Sequence, residues 1–85
     1  MINLNKDINI YPNPMTDDLT IDWGVLNNKS IIISIYDDLG QKILDKTIAP
    51  NQAKSIKIDC SNYRQGIYLV MLNDGENSIV KKVIK

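Results

Sequence analysis

Alternation of apolar and polar residues constrains the fold of this chain more than any other feature. The clearest stretch is residues 66–73, where Tyr68, Val70 and Leu72 point to one face of a strand and Ile67, Leu69 and Met71 to the other. Both faces are apolar, so we expect a central strand with both faces covered to some degree. Asp74-Gly75 ends the stretch with a turn signal.

Seven segments show the strand pattern, and no window shows helical periodicity. The predicted strands are residues 8–11, 19–23, 30–38, 41–48, 55–60, 66–73 and 78–84. Turn residues separate them, including a loop at 24–29 with Asn27-Asn28 at its turn. Ile and Val dominate the apolar residues and suit a pleated sheet better than a helix. The pattern predicts an all-β fold, a seven-stranded antiparallel immunoglobulin-like β-sandwich.

The alternation also predicts a core and the state of the single cysteine. Cys60 continues the apolar face of residues 55–60, so we expect a buried, inert thiol. The expected core residues are Trp23, Ile33, Ile35, Ile56, Ile58, Tyr68 and Val70.

Glycines mark two expected turns. Gly40 closes the turn at 37–40 with a positive φ. For Gly66 two explanations stay open, a positive φ or close approach of another chain segment. Residues 61–65 before it are expected to form one turn of 3₁₀ helix.

The length of 85 residues suits a single domain. We expect residues 1–7 to be a linker or a remnant of a longer chain and 8–85 to form the domain. No secretory signal peptide is recognisable, and no apolar run approaches the roughly 20 residues of a membrane helix. The formal net charge of zero gives no general attraction to nucleic acid or anionic lipid.

Catalytic residue types are scarce. The chain has no histidine, so Cys60 lacks the partner of a Cys–His pair. Asp17-Asp18 and Asp37-Asp38 are adjacent carboxylates that turns favour for backbone reasons, and neither pair has the ligand spacing of an EF-hand. We therefore predict no enzyme activity, no metal site and no cofactor.

Four motifs in order are similar to those of a known family. They are IYPNP at 10–14, IYDDLGQKI at 35–43, QGIYLV at 65–70 and KKVIK at 81–85. Together they resemble the type A C-terminal sorting domain of the type IX (Por) secretion system of Bacteroidetes. The resemblance covers residues 8–85 and places the sorting-signal motif on Pro12, Pro14, Gly40, Gly66, Tyr68, Lys81, Lys82 and Lys85.

The resemblance implies a secretion signal at the end of a larger secreted protein. An upstream passenger domain would cross the inner membrane by its own signal peptide. The folded sorting domain would then be recognised in the periplasm by components of the type IX translocon, in transit to the cell surface or the extracellular medium. A sortase-like signal peptidase would remove the domain and attach the passenger to the surface. The enzyme or adhesin expected upstream, and the linker where family members are cut, are not in this sequence.

Two other readings of these residues stay open. The prolines can simply end a strand, Gly66 can serve a turn, Tyr68 can fill the core, and the lysines can be a solvated face. The alternative function is an accessory module that binds carbohydrate or a surface protein. An exposed strip formed by Trp23 and tyrosines would favour that alternative, and burial of those rings would argue against it.

Overall fold

Seven antiparallel strands form two packed sheets in a computed structural model, which describes residues 8–23 and 29–85. The expectations for 1–7 and for the turn at Asn27-Asn28 lie outside the described residues. The strands are β1 (Asn9–Tyr11), β2 (Asp18–Asp22), β3 (Ile31–Tyr36), β4 (Lys42–Ile48), β5 (Ser55–Asp59), β6 (Ile67–Asn73) and β7 (Ser78–Ile84). One sheet has the order β1-β2-β5 and the other β4-β3-β6-β7. The predicted all-β sandwich is confirmed.

Strand β6 is central, and its two faces are covered to different degrees. It pairs with β3 on one side and β7 on the other, with Val70 opposite both Ile35 and Lys81. Val70 and Leu72 are fully buried, whereas Ile67 and Leu69 on the other face are 44% and 39% exposed. The central position is as expected, and the outer face is covered only in part, because each sheet of a two-layer sandwich packs on its partner with one face.

Six of the seven predicted core residues are buried. Trp23 is fully buried, and its indole Nε1 donates a hydrogen bond to the carbonyl oxygen of Ala53 at 3.1 Å. Ile56 is the exception, since it is only partly buried against the core. It lies on β5, an edge strand with a neighbour on one side only. Ile8 and Met15, which precede and follow β1, also enter the core.

A β-bulge explains the imperfect alternation of residues 41–48. Ile35 lies opposite Leu44, but the next residue, Tyr36, lies opposite Lys42. Ile43 is therefore the extra residue on β4 and is 40% exposed. The bulge shifts the side-chain alternation at that point, as an inserted residue does in a ladder.

The predicted turns have specific backbone conformations. Gly40 has a φ of +82° and Gly66 a φ of +155°, and a Cβ atom at either position would meet nothing within 4 Å. Conformation, not close approach, therefore explains Gly66. The N–H of Tyr63 donates to the carbonyl of Cys60 at 3.0 Å, so residues 60–63 form a single β-turn. The expected 3₁₀ turn at 61–65 was wrong.

Asp74 holds the hairpin between β6 and β7. Its Oδ1 accepts hydrogen bonds from the backbone N–H groups of Glu76 at 2.9 Å and Asn77 at 2.8 Å. The residue is only 4% exposed. The hydrogen bond from Asn77 lowers the pKa of the Asp74 carboxyl against the opposing effect of burial. The ionised side chain therefore stabilises this hairpin.

Replacing Ile35 by Ala should lower the free energy of unfolding by about 2–5 kcal/mol, because it leaves a cavity in the core. Leu39→Ala is the control, since Leu39 is 80% exposed and should change stability by no more than about 0.5 kcal/mol. Urea unfolding of the three proteins measures both values. Equal stability of the two variants would contradict the assigned core.

Asp74→Asn should destabilise the domain at neutral pH and much less in acid. The folded-state pKa lies below the unfolded value, so the stabilisation is complete above about pH 4–5 and is lost as pH falls through the folded pKa. Unfolding of wild type and variant at pH 7 and at pH 3 tests this. A stability difference that grows on acidification would refute it.

Candidate functional site

The second residue of one motif, Gly66, and the last residue of another, Lys85, form a backbone pair. The N–H of Gly66 donates to the main-chain oxygen of Lys85 at 3.1 Å, and the N–H of Lys85 donates to the carbonyl of Gly66 at 2.9 Å. The β6–β7 ladder continues directly from this pair, with Ile67 opposite Ile84. The motifs at 65–70 and 81–85 are therefore one structural unit.

Tyr68 stabilises the turn that precedes β6. Its ring is buried in the core, and its hydroxyl donates to the carbonyl of Arg64 at 2.6 Å. The ring of Tyr63 packs against it, with 5.4 Å between the centroids. Tyr68 thus orients residues 60–66, and the structure gives it a packing role rather than an exposed one.

The loop between β1 and β2 reaches the end of β7. Pro12 and Pro14 flank Asn13, and both peptide bonds before these prolines are cis. The Oδ1 of Asn13 accepts a hydrogen bond from the N–H of Ile84 at 3.0 Å. The N–H of Met15 donates to the carbonyl of Ile84 at 2.6 Å. The two prolines themselves are exposed, so the contact with the terminal strand comes from the residues beside them.

Sequence reasoning missed Asn13 and Met15 as contacts of the terminal strand. The signal available was the Asn between two prolines, a residue type whose side chain often bonds to backbone groups. The bonds join residues 71 positions apart, however, and no local pattern indicates such a partner.

The hairpin turn that contains Gly40 lies near the turn before β6. Asp37 accepts at Oδ1 from the N–H groups of Leu39 and Gln41, both at 2.9 Å. Two clefts of about 190 and 260 Å³ separate this turn from residues 62–68. Gly40 lines neither cleft. The presence of Gly40 in the motif is explained by the positive φ that the turn requires at this position.

The three motif lysines differ in their surroundings. Lys82 is exposed on the outer face of its sheet, whereas Lys81 points to the inner side and is half-buried. Lys85 is half-buried, and its Nζ donates to the carbonyl of Cys60 at 2.5 Å. None of the three forms an ion pair with a carboxylate in the described part of the chain.

Chemistry at Cys60 is suppressed by the fold. The thiol is fully buried and contacts the carbonyl oxygen of Ile58 at 3.6 Å. Burial raises the pKa of this thiol, so the reactive thiolate is a minor species at neutral pH. The expectation of a buried cysteine is confirmed.

The described part of the chain, residues 8–23 and 29–85, contains no cluster of three or more Cys, Asp or Glu residues able to hold a metal ion. It also contains no helix with the length and apolar character of a membrane span. Trp23 and Tyr68 are buried, so they do not form the exposed aromatic strip that a carbohydrate site would need.

Asn13→Ala should loosen the end of β7 without unfolding the domain. The variant loses one hydrogen bond to the backbone, which corresponds to about 0.5–1.5 kcal/mol. Amide hydrogen exchange at Ile84 should accelerate, while exchange at Val70 in the core should change little. Asn62→Ala, a change in an exposed turn, is the control. Unchanged protection of Ile84 would show that the Asn13 contact does not hold the strand.

Comparison with solved structures supports the fold. The chain superimposes on an immunoglobulin-like β-sandwich protein of the DUF3244 family from Bacteroides vulgatus with a TM-score of 0.82 and 17% sequence identity. The match covers 100% of this chain and 89% of that one. At this identity the likeness concerns the fold alone.

Comparison with known sequences identifies the family. An endo-acting ulvan lyase from Formosa agariphila is 30% identical over 76 residues, which cover 88% of this chain and 14% of that enzyme. The family model described as "Secretion system C-terminal sorting domain" matches residues 9–85, almost the whole sandwich. The chain therefore belongs to the family of secretion system C-terminal sorting domains, as its four motifs indicated.

Proposed function

We propose that this domain is the address that directs an upstream passenger protein to the type IX outer-membrane translocon. The observation that carries the proposal is the family match over residues 9–85, which includes every strand. The similar segment makes up 14% of the ulvan lyase, so in that relative most of the protein lies outside the domain. A small domain attached to a much larger enzyme is the arrangement that a sorting signal requires.

In this role the domain is a substrate of the secretion machinery and a non-catalytic module. The passenger reaches the periplasm through a separate signal peptide. The folded domain then docks on the translocon, and the passenger is delivered to the cell surface or the medium. A sortase-like signal peptidase separates the two. No cofactor takes part, because the domain contributes only recognition.

The translocon reads the surface at the end of β7. Lys82 is exposed and Lys81 and Lys85 are half-buried, and none of these ammonium groups has a carboxylate partner among the described residues. Positive charge of this kind steers association with an acidic partner. Gly66 shapes this end through its backbone pair with Lys85, and Tyr68 through its bond to Arg64. Pro12 and Pro14 flank Asn13, which bonds to Ile84, whereas Gly40 shapes the separate turn between β3 and β4.

The carbohydrate-binding alternative has no observation in its favour. Sugar-binding modules present aromatic rings to the ligand, whereas Trp23 is fully buried and Tyr68 is 6% exposed. The buried Trp23 indole also donates its N–H to Ala53, so this polar group is already satisfied within the domain. We therefore put forward only the sorting function.

A reporter fusion tests the proposal. Residues 8–85 are attached to the C-terminus of a monomeric reporter that carries an N-terminal secretory signal peptide, in a type IX-competent host. We expect the reporter at the cell surface or in the medium. A host that lacks the translocon should retain it in the periplasm. Equal release from both hosts would refute the sorting function.

The variant Lys81→Gln/Lys82→Gln/Lys85→Gln separates recognition from folding. We expect the variant to stay folded with a stability loss of no more than about 1.5–3 kcal/mol, because Lys82 is exposed but the Lys85 ammonium group loses its hydrogen bond to the Cys60 carbonyl. Export should fall by about tenfold or more if the lost charges contribute 1.4 kcal/mol or more to docking. The control variant Lys46→Gln/Lys54→Gln/Lys57→Gln removes the same charge from other exposed sites and should be exported normally. Normal export of both triple variants would show that the residues recognised by the translocon lie elsewhere on the domain.

A further inference from the structure

The backbone of β7 alternates between paired and outward-facing residues. Gly66 and Lys85 exchange both of their backbone hydrogen bonds. In an antiparallel ladder such pairs alternate with pairs whose N–H and C=O groups point away from the neighbouring strand. The residues of β7 that direct these groups away from β6 are therefore Ser78, Val80, Lys82 and Ile84.

Among the described residues, only Ile84 of these four has backbone partners on this side. Ile84 bonds to Asn13 and Met15 through its N–H and carbonyl groups. In the described part of the chain, no backbone group forms a hydrogen bond with Ser78, Val80 or Lys82 on this side. β6 is the only described strand that lies beside β7. The open edge, residues 78–82, is about 14 Å long at 3.4 Å per residue. The loop at Asn13–Met15 closes its far end.

Side chains along the open edge have a defined chemistry. Val80 is 54% exposed and lies on the outer face together with Lys82. Lys81 lies between them on the opposite face. No carboxylate of the described residues pairs with either lysine. An added strand would therefore place acidic side chains opposite both lysines and an apolar one opposite Val80, since opposite charges stabilise cross-strand pairs.

We infer that the open edge receives an extended segment of the translocon receptor as an added β-strand, with acidic side chains opposite Lys81 and Lys82 and an apolar side chain opposite Val80. This inference rests on the proposed sorting function and specifies how that function is carried out. Backbone hydrogen bonds supply affinity in such strand addition, and alternate side chains supply specificity. The Asn13–Met15 loop stops the added strand at Ile84 and so sets its register.

Lysines on an open edge also have a purely protective role, because they discourage pairing between sheets of different molecules. The two roles differ in one consequence. A protective edge loses nothing when a proline is introduced, since proline also blocks pairing. A recognition edge loses its partner.

Val80→Pro in the reporter fusion is the decisive variant. It removes one outward N–H that β6 does not use and keeps every lysine, and edge strands tolerate proline at such positions. Lys57→Pro is the matched control. Lys57 lies on β5, the open edge of the other sheet, and the bonded pairs Trp23–Lys54 and Asp17–Cys60 place its N–H outward in the same way. Val80→Ala controls for the lost side chain.

We expect Val80→Pro to reduce export by about tenfold, the equivalent of a 1.4 kcal/mol loss of docking. Lys57→Pro should be exported like wild type. Val80→Ala should lose less export than Val80→Pro, because it gives up part of the side-chain contact but keeps the outward N–H. Thermal unfolding should show that all variants are folded. Normal export of folded Val80→Pro overturns the inference. The lysines on the open edge would then have only the protective role. Retention of the wild-type fusion refutes the sorting function itself. If Val80→Pro unfolds, Ser78→Pro removes another outward N–H at the start of the same strand and is judged by the same outcomes.

Charge reversal tests the chemistry of the partner. Lys81→Glu/Lys82→Glu keeps the backbone edge and should reduce export by more than Lys81→Gln/Lys82→Gln, because glutamates would repel acidic side chains on the added strand. Equal export of the reversed and neutral variants would overturn the acidic partner. Purified folded domain should also remain monomeric after either change, which separates lost recognition from aggregation.

Discussion

The pairing of β6 with strands on both sides holds this domain together. β6 joins β3, from the first half of the chain, to β7, at its end. Its inner residues Tyr68, Val70 and Leu72 are buried against the second sheet. Burial of apolar surface is the main favourable contribution to folding. The two ladders fix the strand register, and the register decides which apolar side chains are buried. Without β6 the terminal strand would have no neighbour, because no other strand lies beside it in the described part of the fold.

Motifs that are far apart in sequence act on one structural region. Gly66 pairs with Lys85, and Asn13 and Met15 bond to Ile84. The end of β7 is thereby held from both sides, by β6 and by the loop after β1. Under the proposed sorting function, such a signal exists only in the folded domain, and residues with packing roles, such as Tyr68, contribute to it through the fold.

Exposed groups on β7 are distributed unevenly. One end of its outer edge is covered by a loop, and the rest carries open backbone groups, an exposed valine and unpaired lysines. The outer face of the same sheet also exposes Ile67 and Leu69. Lysines on an edge strand also protect it from pairing with other sheets, so the charges alone do not distinguish protection from binding.

The sequence alone determined the strand pattern and most of the core. Alternation of apolar residues follows directly from the geometry of a strand, so the seven strands, the central place of β6 and the burial of Cys60 were predictable. The positive φ of Gly40 followed from turn chemistry, and the sorting motifs followed from the resemblance. Only the tertiary structure decided which faces are covered and what the motif residues touch. Ile56 is partly exposed because its strand is at an edge, and Ile67 and Leu69 are exposed because only one face of each sheet meets the other. The bonds from Asn13 and Met15 to Ile84 span most of the chain, and periodicity describes neighbours along a strand but not partners brought together by folding.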